Sequence, residues 1–301
     1  MFLHTNDELF EDAIKNASEN FGVAYGIVEK DYYVYLLLKE MAKRVPSLIF
    51  KGGTSLSKCY HLINRFSEDI DLNLEEAFPT QSIKKDTKYS IIESVAAVGL
   101  DLTNKDEIWT RTNYNKYKID YSSRFAVDGV KPNLYVETYY SIPAFPTELR
   151  EVSSLLHEFL HNAGFDSIVA EYELAPFEIR VQSIVRTFID KVFAVCDCYL
   201  DGRVTEHSRH LYDIYKIYPH IKFDDEFGKL VAQTREVRRN SQKSSAAEVG
   251  VAISRLLQEI IDRKIYKSDY RDITQKLLFE EADYDVVIGT LQDIAIKNYF
   301  A

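Results

Sequence analysis

Apolar residues recur at helical spacing through VEKDYYVYLLLKEMAKR, residues 28 to 44, and Pro46 just beyond predicts where that helix stops. SLIFKGG, 47 to 53, reads instead as a short buried strand running into two glycines. Thr54 or Ser55 then stands where a cap belongs, for a helix expected to end near Asn64. In SEDIDLNL, 67 to 74, polar and apolar residues alternate as in a strand, followed by a polar loop at 75 to 82 and a helix near 86 to 98. Tyrosine-rich strand segments around 109 to 121 and 133 to 141 flank Asp128-Gly129, a hairpin signal. Beyond Pro143 and Pro146 the pattern predicts a helix near 148 to 163, a strand-like stretch at 169 to 181, and helices almost to the end. No internal repeat or low-complexity segment interrupts this order. The expectation is an α/β (α+β) protein: a mixed sheet with flanking helices over residues 1 to 180, then a helical domain over 181 to 301.

Composition adds limits. A chain of 301 residues with 46% hydrophobic content can bury a sizeable core in two packed units. The start carries no basic region before an apolar run, and no later segment approaches about 20 uncharged apolar residues, so a cytoplasmic protein with no membrane partner is expected. Cys59, Cys196 and Cys198 lack a second thiol pair to complete a zinc site and read as reduced, packed thiols. A net charge of -10 argues against a general nucleic-acid coat but leaves room for a local basic face. TREVRRNSQK, 234 to 243, offers one, with Arg235, Arg238, Arg239 and Lys243 at near-helical spacing as a candidate RNA contact. The alternative is a charged, solvated helix.

The chemistry concentrates in FKGGTSLSKCYHLINRFSEDIDLNL, residues 50 to 74. Glycines leaving a strand permit a tight turn, and a helix opening there points unpaired N–H groups at an anion such as phosphate. On the next strand Asp69 and Asp71 share one face, roughly 6.6 Å apart by strand rise, while Ile70 and Leu72 turn to the core. Two such carboxylates repel each other unless a cation lies between them. Hard oxygen ligands suit Mg²⁺ or Mn²⁺, and paired ions about 3.5–4 Å apart can serve both the attacking and leaving oxygens of phosphoryl transfer. A phosphate cradle beside a metal pair is what a nucleoside-triphosphate site requires.

This constellation is similar to that of the nucleotidyltransferase superfamily, and within it the chain resembles the AbiEii-type nucleotidyltransferase toxins of abortive-infection and toxin–antitoxin systems. The residues that carry the resemblance are EKDYYVYLLL, FKGGTSLSK, RFSEDIDL, RTFIDKVFAV at 186 to 195 and RHLYDIYKI at 209 to 217. It implies that the Gly52-Gly53 turn, with Thr54 and Ser55, contacts triphosphate oxygens and that Asp69 and Asp71 hold the metals. It also implies a third carboxylate from a neighbouring strand. In NLYVETYY, Glu137 faces away from Leu134 and Val136 and is the first candidate; Asp120 on the partner strand is the second. Lys191 matches the lysine expected to neutralise phosphate, and Asp213 the aspartate expected to orient it. Some relatives carry an acidic residue where His210 stands, so a proton-shuttling role for that segment is in question. Arg65 and Glu68 read as local supports, and Arg209 could pair with Asp213 across one helical turn.

The resemblance further implies a toxin that moves a nucleotide from an NTP to RNA such as tRNA, restrained by a cognate antitoxin with a DNA-binding domain. Transfer to a protein or small molecule, or nucleotide binding without turnover, are the rival readings. LLHEFLHNAGF contains His157-Glu158-x-x-His161, a zincin-like spacing. It lacks the metzincin's third histidine and a later methionine for a Met-turn, and the apolar positions Leu149, Val152, Leu156, Phe159 and Leu160 turn both histidines to the polar side. A zinc metalloprotease is the minor alternative.

Overall fold

The computed structural model describes residues 1–67, 69–125, 133–241 and 244–300. The chain divides into two compact units: Met1–Tyr60 with Ser67–Val181, and His61–Phe66 with the chain from Gln182 onward. The Asp128-Gly129 hairpin signal lies outside the described residues.

The first unit is built on a seven-stranded mixed sheet. Its strands are β1 (Leu48–Lys51), β2 (Asp69–Leu74), β3 (Asp101–Leu102), β4 (Tyr114–Asp120), β5 (Asn133–Tyr139), β6 (Thr147–Val152) and β7 (Phe177–Gln182). They lie side by side in the order β3-β4-β5-β2-β1-β7-β6. β2 runs antiparallel to β1 and parallel to β5, which is antiparallel to β4. The period-2 alternation gives the sheet its two characters: Phe50, Ile70, Leu72, Tyr117, Ile119, Leu134 and Val136 are all buried on one face. They share a single hydrophobic core with residues of the helices Asp7–Phe21 (α1), Tyr25–Arg44 (α2) and Gln81–Ala97 (α4). Each large apolar side chain so buried contributes about 1.5–3 kcal/mol. A one-residue slip of β2 would drive Asp69 and Asp71 into that core, so the register is strongly specified.

Several boundaries differ from expectation. The short helix α3, Gly52–Lys58, begins at Gly52 and has no side-chain cap, so Thr54 and Ser55 lie inside its first turn rather than capping it. It also ends six residues before Asn64. Residues 61–66 instead belong to the second unit, where Arg65 forms an isolated bridge with Leu278, Phe66 N–H donates to Leu277 C=O and Phe279 N–H to Asn64 C=O. α4 starts at Gln81 because Thr80 caps it, its hydroxyl accepting from Ile83 N–H at 3.4 Å. The helix expected near 148–163 is split: residues 147–152 form edge strand β6, leaving Leu149 exposed, and α5 (Leu155–Asn162) begins only after Ser154, whose hydroxyl accepts from His157 N–H at 3.0 Å. The stretch 169–181 opens inside a one-and-a-half-turn helix, α6 (Asp166–Glu171), and becomes extended only at β7.

The second unit is helical, with α7 (Ile184–Leu200), α8 (Arg209–Ile217), α9 (Asp225–Asn240), α10 (Ile253–Asp262) and a last helix, Tyr284–Lys297. α7 is apolar along most of its length, with Phe188, Ile189, Val192, Phe193 and Cys196 fully buried. The arginines of α9 do not form an outward RNA-contact face. Arg235 donates to the carbonyls of Val251 and Phe300, Arg239 donates to Ala247 C=O, and Arg238 bridges Asp190 and Asp197 of α7 at 2.8 Å each. Two acidic residues on α7 thus hold Arg238, and backbone carbonyls hold the other two. Lys243 lies outside the described residues. Among the described residues no helix is long and apolar enough to cross a membrane.

Candidate active site

The face of the sheet opposite the core carries the polar residues of interest. Asp71 lies beside Lys51 of β1 and Glu137 of β5, and Asp69 beside Tyr135, so the two aspartates and Glu137 point to the same side of adjacent strands. All three are half-buried. Asp120 is farther away, on β4 opposite Asn133, two strands from the aspartates. Of the two candidate third carboxylates, Glu137 is the direct neighbour.

The glycine turn and the aspartates meet in one contact. Gly52 has φ +77°, a backbone region that L side chains rarely adopt, and a β-carbon added to it would lie 1.8 Å from Asp71 Oδ2. The carboxylate therefore occupies the space a side chain would need. Thr54 and Ser55 play a different part from the one their sequence position suggests. Both are buried; the Thr54 hydroxyl donates to Asp69 C=O at 2.6 Å and meets Ser67 Oγ at 2.9 Å, while Ser55 donates to Gly52 C=O. The Thr54 hydroxyl ties α3 to β2 and the Ser55 hydroxyl braces the first turn, whose backbone N–H groups have no partner within the helix. The other end of α3 is fixed by Lys58, paired at 2.5 Å with Asp31 of α2, whose second oxygen accepts from Leu155 N–H. The EKDYY and KGGTSLSK motifs thus meet through Asp31 and Lys58.

Two side chains not singled out in the sequence complete this face. Lys116 of β4 donates to Glu137 at 2.7 Å and lies 4.0 Å from the centre of the Tyr135 ring. Tyr114 is held protonated, its pKa raised by burial and then by Glu137, Asp71 and Asp69. One phenol thus senses all three carboxylates. The alternation of TNYNKYKID, with Tyr117 and Ile119 inward, puts Tyr114 and Lys116 on the same side as Glu137 and was the signal available in the sequence.

Asp69 and Asp71 offer hard oxygens side by side, with Gly52 leaving Asp71 its space, and this donor set fits Mg²⁺ or Mn²⁺. Such an ion is commonly held by one or two carboxylates plus substrate phosphates. Among the described residues no three His, Cys, Asp or Glu side chains gather into a metal-holding group. Lys116 engages one Glu137 oxygen, Oε1, at 2.7 Å.

Lys191 and Asp213 belong to the second unit, where they meet at 2.6 Å. Arg65 clamps the same carboxylate with two bonds, Nε to Oδ1 at 2.7 Å and a terminal nitrogen at 2.8 Å to Oδ2, the oxygen that Lys191 also meets. All three side chains are buried. Burial alone would raise the Asp213 pKa, but Arg65 and Lys191 outweigh it and hold the carboxyl well below the usual range. Asp213 is therefore bound by Arg65 and Lys191, not by Arg209. Glu68 lies outside the described residues. His210 is kept neutral, chiefly by burial and then by Lys191 and Arg209.

In the first unit, His157 and His161 stack at 5.8 Å on α5. His157 Nδ1 meets Ser153 Oγ at 3.0 Å, and the exposed His161 pairs with Asp166 at 2.8 Å. No third ligand completes a zinc site there among the described residues. Cys59, Cys196 and Cys198 are free and buried, and burial pushes the Cys59 thiol up to about 12.

This chain is similar in fold to MenT4, a nucleotidyltransferase toxin from Mycobacterium tuberculosis H37Rv, with a TM-score of 0.50 at 18% identity, over 94% of this chain and 97% of that one. A comparison with curated protein sequences returns no match. The family model described as nucleotidyl transferase AbiEii toxin, type IV TA system, matches residues 37–294. The chain belongs to this nucleotidyltransferase toxin family.

Proposed function

We propose that the protein transfers a nucleotide from an NTP to an acceptor hydroxyl on RNA, such as tRNA, at the face formed by the Gly52-Gly53 turn, Asp69 and Asp71. The acceptor oxygen attacks the α-phosphorus, the bond from that phosphorus to the α,β-bridging oxygen breaks, pyrophosphate leaves, and the hydroxyl proton is released. The observation that supports this reading is the close approach of Gly52 and Asp71, which sets a glycine turn opening a helix directly against one of the paired carboxylates.

In this reading the backbone amides of Gly52, Gly53 and Thr54 bind triphosphate oxygens, and Ser55 holds the turn in shape. Asp69 and Asp71 hold the divalent ions, which when bound supply charge neutralisation at the phosphoryl oxygens. Glu137 serves as a third ligand through its Oε2, with Lys116 on Oε1. On the family resemblance alone, Lys191 is assigned the task of neutralising triphosphate charge and Asp213, steadied by Arg65, that of orienting its ammonium. Rate enhancement comes mainly from positioning and preorganised charge. A separately encoded antitoxin with a DNA-binding domain restrains the activity.

The test is to incubate the purified protein with each α-labelled NTP, Mg²⁺ and, separately, total cellular RNA, total protein and small-molecule extract. Label in RNA is expected. Label in protein or a small molecule would replace the acceptor, and nucleotide binding with label in no fraction would overturn transfer.

A further inference from the structure

On the same sheet face, on the β4 side of the carboxylates, lies an open cavity of about 460 Å³ within the first unit. Its size is that of a small-molecule site, about 300–1,000 Å³. Asn104, Trp109, Tyr114, Lys116, Lys118 and Tyr135 are among the residues around it. Trp109 is the chain's single tryptophan and is 64% exposed.

An exposed aromatic by itself calls for no explanation. The backbone that carries this one is anchored. The buried Asn115 side chain accepts from Trp109 N–H at 2.8 Å and donates to Trp109 C=O at 2.9 Å, and the Thr112 hydroxyl donates to the same carbonyl. Immediately before it Ile108 is buried, and Lys88 donates to its carbonyl. Asn104 secures the far wall by donating to Lys116 C=O and accepting from Lys118 N–H. The segment is tied down on both sides of an indole left in solvent, which is the construction of a display platform rather than of a loose loop. Tyr114, 41% exposed, adds a second aromatic surface.

The charges around the cavity are mixed but ordered. Glu107 is engaged by Asn104, and Glu137 by Lys116. Lys116 is fixed over the Tyr135 ring, and Lys118 makes no ion pair among the described residues. An aromatic platform beside fixed and available ammonium groups is the chemistry that takes an unpaired nucleotide: base on the ring, phosphate at the lysines.

The order of strands says which nucleotide. The glycine turn leaves β1, the aspartates lie on β2, and the cavity opens beyond β5 on β4. Attacking and leaving oxygens lie roughly in line across the α-phosphorus. With pyrophosphate departing at the turn, the acceptor approaches from the β4 side. Resting on the reading that RNA is the acceptor, we propose that this cavity holds the unpaired terminal nucleotide of the acceptor strand, with Trp109 stacking on its base and Lys116 and Lys118 meeting its phosphate.

The lone tryptophan is its own reporter. Titrating the full-length protein with a short single-stranded oligoribonucleotide bearing a 3′-hydroxyl is expected to quench its fluorescence saturably, while a blunt duplex of the same sequence and ATP, GTP, CTP or UTP alone leave it unchanged. By anisotropy of a labelled oligonucleotide, Trp109→Ala is expected to weaken binding roughly tenfold, within the range for one lost base stack, with Trp109→Phe intermediate and Lys118→Ala weaker than wild type. Saturable quenching by an NTP alone overturns the proposal, since the entering base would then fill the cavity. Equal oligonucleotide affinity in Trp109→Ala and wild type also overturns it, while RNA labelling in the transfer experiment would leave the reaction itself standing. Wild-type protein that binds no oligonucleotide overturns this site, and RNA as acceptor then stands or falls with the transfer experiment, where label in protein would identify the other substrate class.

Discussion

Asp71 Oδ2 lies where a β-carbon on Gly52 would have to go, 1.8 Å from it, so the turn and the carboxylate hold each other in place. Replacing Gly52 with alanine adds a left-handed backbone penalty of about 1–2 kcal/mol and also forces Asp71 aside. Gly52→Ala is expected to lower the melting temperature modestly and to abolish transfer. Gly99→Ala supplies the comparison: Gly99 has a similar φ, +73°, but open space around it. It should lose similar stability and keep its activity. Equal activity in the two variants would show that the Gly52–Asp71 contact has no part in the reaction.

The buried Arg65–Asp213–Lys191 cluster predicts coupled effects. Removing one member leaves charges without their counterpart, at a cost on the order of 3–5 kcal/mol. Asp213→Asn should therefore be clearly less stable than wild type at pH 7. Because the folded Asp213 carboxyl lies below its unfolded value of about 3.9, its ionisation contributes fully above about pH 4, and this contribution is lost as pH falls through the folded value. The stability gap between wild type and Asp213→Asn, measured by urea unfolding, should narrow between pH 7 and pH 3. For transfer, the Lys191→Ala/Asp213→Asn double variant should be barely worse than Lys191→Ala alone. A pH-independent gap, or additive losses of activity, would contradict the assignment.

The main strands were readable because burial on one face leaves a period-2 trace: Ile70 and Leu72 in β2, and Leu134 and Val136 in β5, mark which side Asp69, Asp71 and Glu137 must take. What escaped depends on partners remote in sequence. Residues 61–66 carry no periodicity, and their backbone partners at Leu277 and Phe279 lie some two hundred positions later. Edge strand β6 carries enough apolar residues to imitate a helical stripe, and only its place beside β7 makes it extended. In α9 the arginine spacing is visible but not its direction, which Asp190 and Asp197 on another helix set for Arg238 and remote backbone carbonyls set for Arg235 and Arg239.

That inward direction is itself testable. Arg238 joins two carboxylates of α7 and lies over the Phe193 ring. Arg238→Ala leaves both acids without it and is expected to cost on the order of 3 kcal/mol, seen as a large drop in melting temperature, while affinity for RNA measured on the folded fraction stays within about twofold. A stable variant with greatly weakened RNA binding would put the arginine row back on an outward face.

The paired carboxylates of β2 are the centre of the proposed reaction. Asp71→Asn keeps the size and shape of the side chain against Gly52 while removing its charge, so folding should survive and metal-dependent chemistry should not. The decisive measurement is the initial rate of label transfer from α-labelled NTP to RNA by wild type and Asp71→Asn across a Mg²⁺ titration, with melting curves run in parallel. The account predicts a native melt and a rate at least about a hundredfold lower at every Mg²⁺ concentration, a loss of about 2.7 kcal/mol in transition-state stabilisation. A folded Asp71→Asn protein that transfers at close to the wild-type rate would contradict it.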